Sequence, residues 1–214
     1  MDRWGVARQT VQNAIDQLRT EGLVGSRPGR GWYVAERPAI RRLARNRLSK
    51  AERDAGRGAF LSDAAQGGWR PDVSVEVRRQ PADDRIAGIL DLAGDVAEVV
   101  VRAREMRADG RVVQLATSYF PAGIAAGTAI EQPDTGDGGV YERLEELGFR
   151  LTHFEEAVNA RPARPEEASG LGIPAGYPVL AVTRVAWAGD RAVEVNDMVL
   201  AGDRYELVYT LPAD

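Results

Sequence analysis

Two arginines stand two residues apart in the stretch AEVVVRAREMR, at Arg102 and Arg104. Its valines mark it as a strand, where residues i and i+2 share a face. Two guanidinium groups held side by side repel unless an anion joins them, and the planar fork takes phosphate or carboxylate through two bonds. Ion pairs with Glu76 or Glu98 on a solvated face are the other way to satisfy them. A second pair, Glu194 and Asn196, shares a face of RAVEVNDMVL. A third stretch, GSRPGRGWYV at residues 25–34, sets glycines and arginines ahead of two aromatics. Such a loop either cradles a phosphate or turns a hairpin that meets DNA. GRGWYV lacks the third glycine of GxGxxG, no GK[ST] follows, and the next residues are strand formers, so the turn of a hairpin is expected.

Patterns for catalysis are weaker. Ser118 lacks a GxSxG elbow. The adjacent glutamates at 145–146, 155–156 and 166–167 diverge on a helix or strand, so none forms a paired acid and base. His153 is the only histidine and there is no cysteine. Disulfides and thiolate metal sites are excluded, and no metal or cofactor is expected. No apolar run approaches the ~18 residues of a membrane span, and the first residues lack the apolar core of a signal peptide. A cytoplasmic location is expected.

The formal net charge is -4. Residues 1–50 carry eleven Lys and Arg against four acids, a balance of +7, which leaves -11 on the remainder. A basic end on an acidic body implies that the front meets an anion, most often nucleic acid, or forms a solvated linker.

These residues need elements to hold them. In residues 7–21, Val11, Ala14, Ile15 and Leu18 make one helical stripe. Arg8, Gln9, Gln12, Asn13 and Arg19 lie on the other face, and Gly22 is placed to end the helix. Strand, turn and strand follow to Val34. Ile40, Leu43, Ala44, Leu48 and Ala51 predict a basic helical linker beyond Pro38. Residues 72–79, 97–107, 111–121 and 153–163 read as strands, and 81–92 and 138–149 as helices. PEEASGLG gives a short helix. Three last strands, VLAVTRVAWAG, RAVEVNDMVL and RYELVYTLP, are joined by turns short enough to predict antiparallel pairing.

The run WGVARQTVQNAIDQLRTEGLVGSRPGRGWYV, residues 4–34, resembles the recognition helix and wing of the GntR family of bacterial regulators. The resemblance implies that Arg8, Gln9, Thr10, Gln12 and Asn13 approach the major groove, where Arg suits guanine and Gln suits adenine. It places Arg27, Arg30 and Gly31 on the wing, against phosphates or the minor groove. Family members carry two further helices before this point, so a truncated DNA-binding unit with weakened operator affinity is expected. Ala7 stands where the family has a capping Ser.

Residues 59–214 resemble the UTRA domain of the HutC-type branch, similar in fold to chorismate lyase. The likeness rests on RADGRVVQLATSYFP, GGVYERLEELGF, LGIPAGYPVLAVTRVAW and VEVNDMVLAGDRYELVY. It implies an α+β fold: a partial winged helix-turn-helix at 1–37, a basic linker at 38–58 and a mainly antiparallel UTRA domain at 59–214. The expected effector contacts are Arg102, Arg104, Gln114, Tyr141, Glu194 and Asn196. Gln114 or Ala116 falls where sugar-phosphate-binding members have Glu, and Leu200 where they have Tyr, departures that weigh against an amino-sugar phosphate. Gly139 replaces a common Ser at the start of a helix whose N–H groups could meet an anion. The chain is thus expected to be a ligand-responsive DNA-binding regulator, a repressor acting as a homodimer on operator DNA. The alternatives are an effector-binding module without DNA binding and, third, a lyase-like enzyme.

Overall fold

A computed structural model describes residues 5–21, 23–27, 31–34, 40–43, 59–92 and 97–210. Helix α1 spans Arg8–Thr20 and ends at Glu21. Ala7 occupies its N-cap without a side-chain bond, as its methyl group dictates. Strands β1 (Val24–Arg27) and β2 (Gly31–Val34) pair antiparallel as a hairpin, with Val24 opposite Val34.

Strand β3 (Ile40–Leu43) forms where a helical linker was expected. It pairs in parallel with the last strand, β10 (Tyr205–Val208). Ile40 and Arg42 alternate inward and are buried, while Arg41 is exposed and bonds Glu206. A period of two over these residues overrides the helical spacing. The rest of the proposed linker lies outside the described residues.

The body is a six-stranded sheet in the order β4-β5-β6-β9-β8-β7, with antiparallel neighbours throughout. Its strands are β4 (Pro71–Pro81), β5 (Glu98–Ala108), β6 (Arg111–Pro121), β7 (His153–Pro162), β8 (Pro178–Ala188) and β9 (Arg191–Ala201). The β5–β6 turn places Asp109 and Gly110 at φ 48 and 79, the twist that a two-residue hairpin needs.

The expected antiparallel pairing of the last three strands holds for β8 and β9 only. β9 already has β6 on one side and β8 on the other, so no edge remains for β10. The chain turns away at Gly202, whose N–H bonds the Pro178 carbonyl at 3.1 Å. A Cβ there would lie 2.7 Å from that same oxygen.

Helices cover both faces of the sheet. On one face, α3 (Asp84–Ile89) buries Ile86 against Val99, Val101 and Val195. Asp83 caps it by accepting from the Ile86 N–H at 2.8 Å. On the same face α6 (Pro165–Leu171) seats Ala168 and Leu171 near Val179. The other face meets α2 (Ala59–Gly67), the short α4 (Ala122–Ala125), a 3-10 turn at Ala129–Glu131 and α5 (Gly139–Glu146). Along β5 the alternation sends Val99 and Val101 to the first face, and Val100, Arg102, Arg104 and Met106 to the second.

Candidate functional site

Register builds the site. Arg102 on β5 lies opposite Ser118 on β6, Ser118 opposite Asn196 on β9, Asn196 opposite Arg184 on β8, and Arg184 opposite Glu156 on β7. Five strands thus contribute one polar row on a sheet face that is apolar at Val100, Phe120 and Ala186. Arg104, one step along β5, reaches back to this row. Its Nη2 donates to Ser118 Oγ and, at 3.2 Å, to Asn196 Oδ1. Ser118 is fully buried, and it serves as a partner for the arginine.

Arg102 is 3% exposed. It pairs with neither Glu76 nor Glu98: Nη1 donates to the Ile130 carbonyl at 2.6 Å and to that of Gln132, and Nη2 to that of Pro133 at 2.9 Å. Burial, and then the neighbouring Arg104 charge, lower its pKa to about 10, against the opposing pull of Glu194 and Asp134. The group therefore stays charged at neutral pH. Three carbonyl bonds fasten the segment from which the loop of residues 133–139 departs.

That loop leads into α5, whose Tyr141 is buried with its ring 5.1 Å from that of Phe154. Arg184 Nη1 donates to the Tyr141 hydroxyl at 3.4 Å. Burial raises the Tyr141 pKa, and the adjacent Glu194 carboxylate raises it further, so the phenol stays neutral. Glu194 itself is fully buried. At the β7 end of the row, Glu156 accepts from Arg184 and from the buried Arg42 on β3.

A cavity of about 300 Å³ opens between this face, the loop and α2. Its wall includes all six effector candidates: Arg102, Arg104, Gln114, Tyr141, Glu194 and Asn196. The start of α5, Gly139 included, also faces it. Gln114 reaches the wall with its amide already engaged, accepting from Tyr205 at 3.3 Å and lying 3.0 Å from the Met106 sulfur. Leu200 and Ala116 pack into the core cluster with Met106 and Met198.

Arg184 also lines the cavity and is not among the residues expected from the sequence. It sits in VLAVTRVAW on the face of Val182 and Ala186, and a charge at an inward position of an apolar strand was the available signal. Arg42 was missed because its stretch was read with a helical period.

In the amino-terminal part, Arg8, Gln9, Thr10, Gln12 and Asn13 are exposed, and Gln9 donates to Asn13 at 2.8 Å. None of the residues of α1 is buried, and Val11 and Leu18 of its apolar stripe are 44% and 37% exposed. Gly31 begins β2 with φ 81. For Arg27 only the backbone, in β1, is described, and Arg30 lies outside the described residues.

His153 is exposed and stacks on Trp187 at 5.7 Å. Glu155 and Glu156 diverge, the first toward Trp187 Nε1 and the second toward Arg184. Neither arrangement sets an acid beside a base.

Comparison with known proteins agrees with this architecture. The UTRA domain matches residues 73–206, and the gntR family of bacterial regulatory proteins matches residues 1–34. An HTH-type transcriptional regulator of Streptomyces coelicolor is 31% identical over 95% of this chain and 78% of its own. The transcriptional repressor PhnF of Mycolicibacterium smegmatis is 29% identical over 95% of this chain and 78% of its own. A solved GntR-family transcriptional regulator superposes with a TM-score of 0.73 at 30% identity, covering 99% of this chain and 84% of that one. With a helix and hairpin in front of a UTRA sheet, the chain belongs to the GntR family of bacterial transcriptional regulators, in the branch that carries a UTRA domain.

Proposed function

We propose that the chain is a ligand-responsive repressor whose UTRA cavity binds a small anionic metabolite. One observation carries the reading: three guanidinium groups, Arg102, Arg104 and Arg184, line a single cavity with Glu194 and Tyr141. Positive charge gathered in a partly enclosed space favours an anion. Arg104 and Arg184 offer it donors, Glu194 accepts a hydroxyl or amine beside it, and Arg102 holds the loop that walls it. The name of the relative PhnF supports a repressor.

Effector binding alters operator affinity only if it favours one arrangement of paired DNA-binding units, typically by ~1–3 kcal/mol of coupling. A homodimer is therefore part of the reading, with a scattering mass about twice 23.2 kDa. Exposed Arg8, Gln9 and Thr10 would meet operator bases in the cytoplasm. The bare apolar stripe of α1 supports a second reading, that this stretch of chain by itself binds effector without gripping DNA.

A thermal-shift screen of anionic metabolites tests the proposal, because a ligand of the native state raises stability by mass action. Stabilisation of the parent that is lost in Arg104→Ala supports it. Equal stabilisation of both proteins overturns the assignment of the cavity.

A further inference from the structure

The cavity changes character along its length. On β5 the inward residues run Arg102, Arg104, Met106, and on β9 they run Glu194, Asn196, Met198. β5 and β9 lie on either side of β6 and antiparallel to it, so both series run the same way, offset by one step: Asn196 is level with Arg102 and Met198 with Arg104. On β4, Val75 lies opposite Arg104 and Val73 opposite Met106. α2 closes the methionine end with Phe60 and Leu61. One end is therefore ionic and the other is lined mainly by thioether, valine and aromatic side chains, with the Gln114 amide beside the Met106 sulfur and the Arg42 guanidinium 3.9 Å from that of Met198. From Glu194 to Met198 the strand advances ~13 Å at ~3.3 Å per residue.

We infer that the ligand is an amphiphilic anion: a carboxylate or phosphate monoester head at Arg104 and Arg184, with an unbranched or compact apolar body reaching Met106 and Met198. This rests on the reading of the cavity as an anion site and adds the chemical class of its occupant. A polyhydroxylated anion would leave its hydroxyl groups against Val73, Val75, Met106 and Met198, where a polar group without a partner is costly. Gln114, the amide at that end, has its carbonyl oxygen engaged by Tyr205. An apolar body there gives up water without losing hydrogen bonds, and Met side chains adapt to its shape.

The test is calorimetric titration of the 214-residue chain with acetate, butyrate, hexanoate and octanoate. Methyl, butyl and hexyl phosphate form the parallel series, with inorganic phosphate and glucose 6-phosphate as hydrophilic comparators. Affinity should rise about fourfold per methylene in at least one series until the cavity is filled. The series that binds more tightly identifies the head. Met198→Gln should flatten the rise, and Val75→Thr, which keeps its volume, should do so if the first variant fails to fold. Inorganic phosphate binding with no dependence on chain length overturns the inference and leaves the anion site standing. So does tighter binding of glucose 6-phosphate than of any amphiphile, or a rise unchanged in both variants. Failure of every anion to bind overturns the anion site and the inference together.

Discussion

Arg184 donates to one oxygen of Glu156 twice, from Nε at 2.8 Å and from Nη2 at 2.6 Å, with its side chain 3% exposed and that of Glu156 12%. The same carboxylate receives Arg42, whose side chain is 1% exposed. Two buried cations share one half-buried anion, so removing the anion harms the protein more than removing either cation.

Glu156→Gln should therefore lower stability by about 3–5 kcal/mol, the range for breaking a buried ion pair by removing one partner. Urea unfolding measures it. A loss below about 1 kcal/mol, the scale of an exposed pair, would show that the arginines are neutralised elsewhere.

Arg102→Met should loosen the loop rather than simply delete a ligand contact. Three carbonyls lose a charged donor, each such bond being worth about 1.5–3 kcal/mol. Amide hydrogen exchange in residues 133–139 should speed up before any ligand is added. Unchanged exchange would mean that the carbonyls hold the loop without the guanidinium.

The pair of Arg79 with Glu131 sets an acid-dependent contribution. The Arg79 hydrogen bond and then the Gly127 N–H lower the Glu131 pKa from 4.5 to about 2. A carboxylate depressed in the folded state adds stability above its unfolded value and loses it as pH falls through the folded one. The stability difference between the parent and Glu131→Gln should be constant above pH 4.5, shrink below it and vanish under about pH 2. A difference that persists in stronger acid would contradict the pairing.

Gly31→Ala puts a side chain at φ 81, where only glycine is comfortable, so the hairpin should be strained by about 1 kcal/mol or more. Arg8→Ala should weaken operator binding by about 1–3 kcal/mol if Arg8 reads a base. Both substitutions should leave anion affinity at the cavity as it was. Urea unfolding checks the first effect, mobility shifts at one salt concentration the second and calorimetry the third. An anion affinity lost in Gly31→Ala would move the ligand site to the glycine loop.

Much of this architecture was legible because the strands keep a period of two over most of their length, broken only by register shifts after Met106 and Ala186. Residues 111–121 were bounded correctly, and the shared face of Arg102 and Arg104 placed both at the cavity. Glu194 and Asn196 came the same way, whereas Tyr141 and Gln114 came from family likeness. What stayed hidden depends on pairing between distant segments. Ile40–Leu43 is a strand only because Tyr205–Val208 lies beside it. Glu156 looked like a member of one of three adjacent, diverging glutamate pairs, since nothing local shows that Arg42 and Arg184 converge on it.

The β3–β10 pairing has a consequence for the order in which the molecule is made. Arg41 and Glu206, bonded across it, are 165 residues apart in sequence. Synthesis proceeds from the amino terminus, and contacts between distant segments carry the largest closure entropy. Ile40–Leu43 therefore leaves the ribosome long before its partner exists, and Arg42 waits without the pocket in which Glu156 receives it. The segment after the β1–β2 hairpin is thus held to the six-stranded body by a strand made 165 residues later, so this attachment waits on nearly the whole chain.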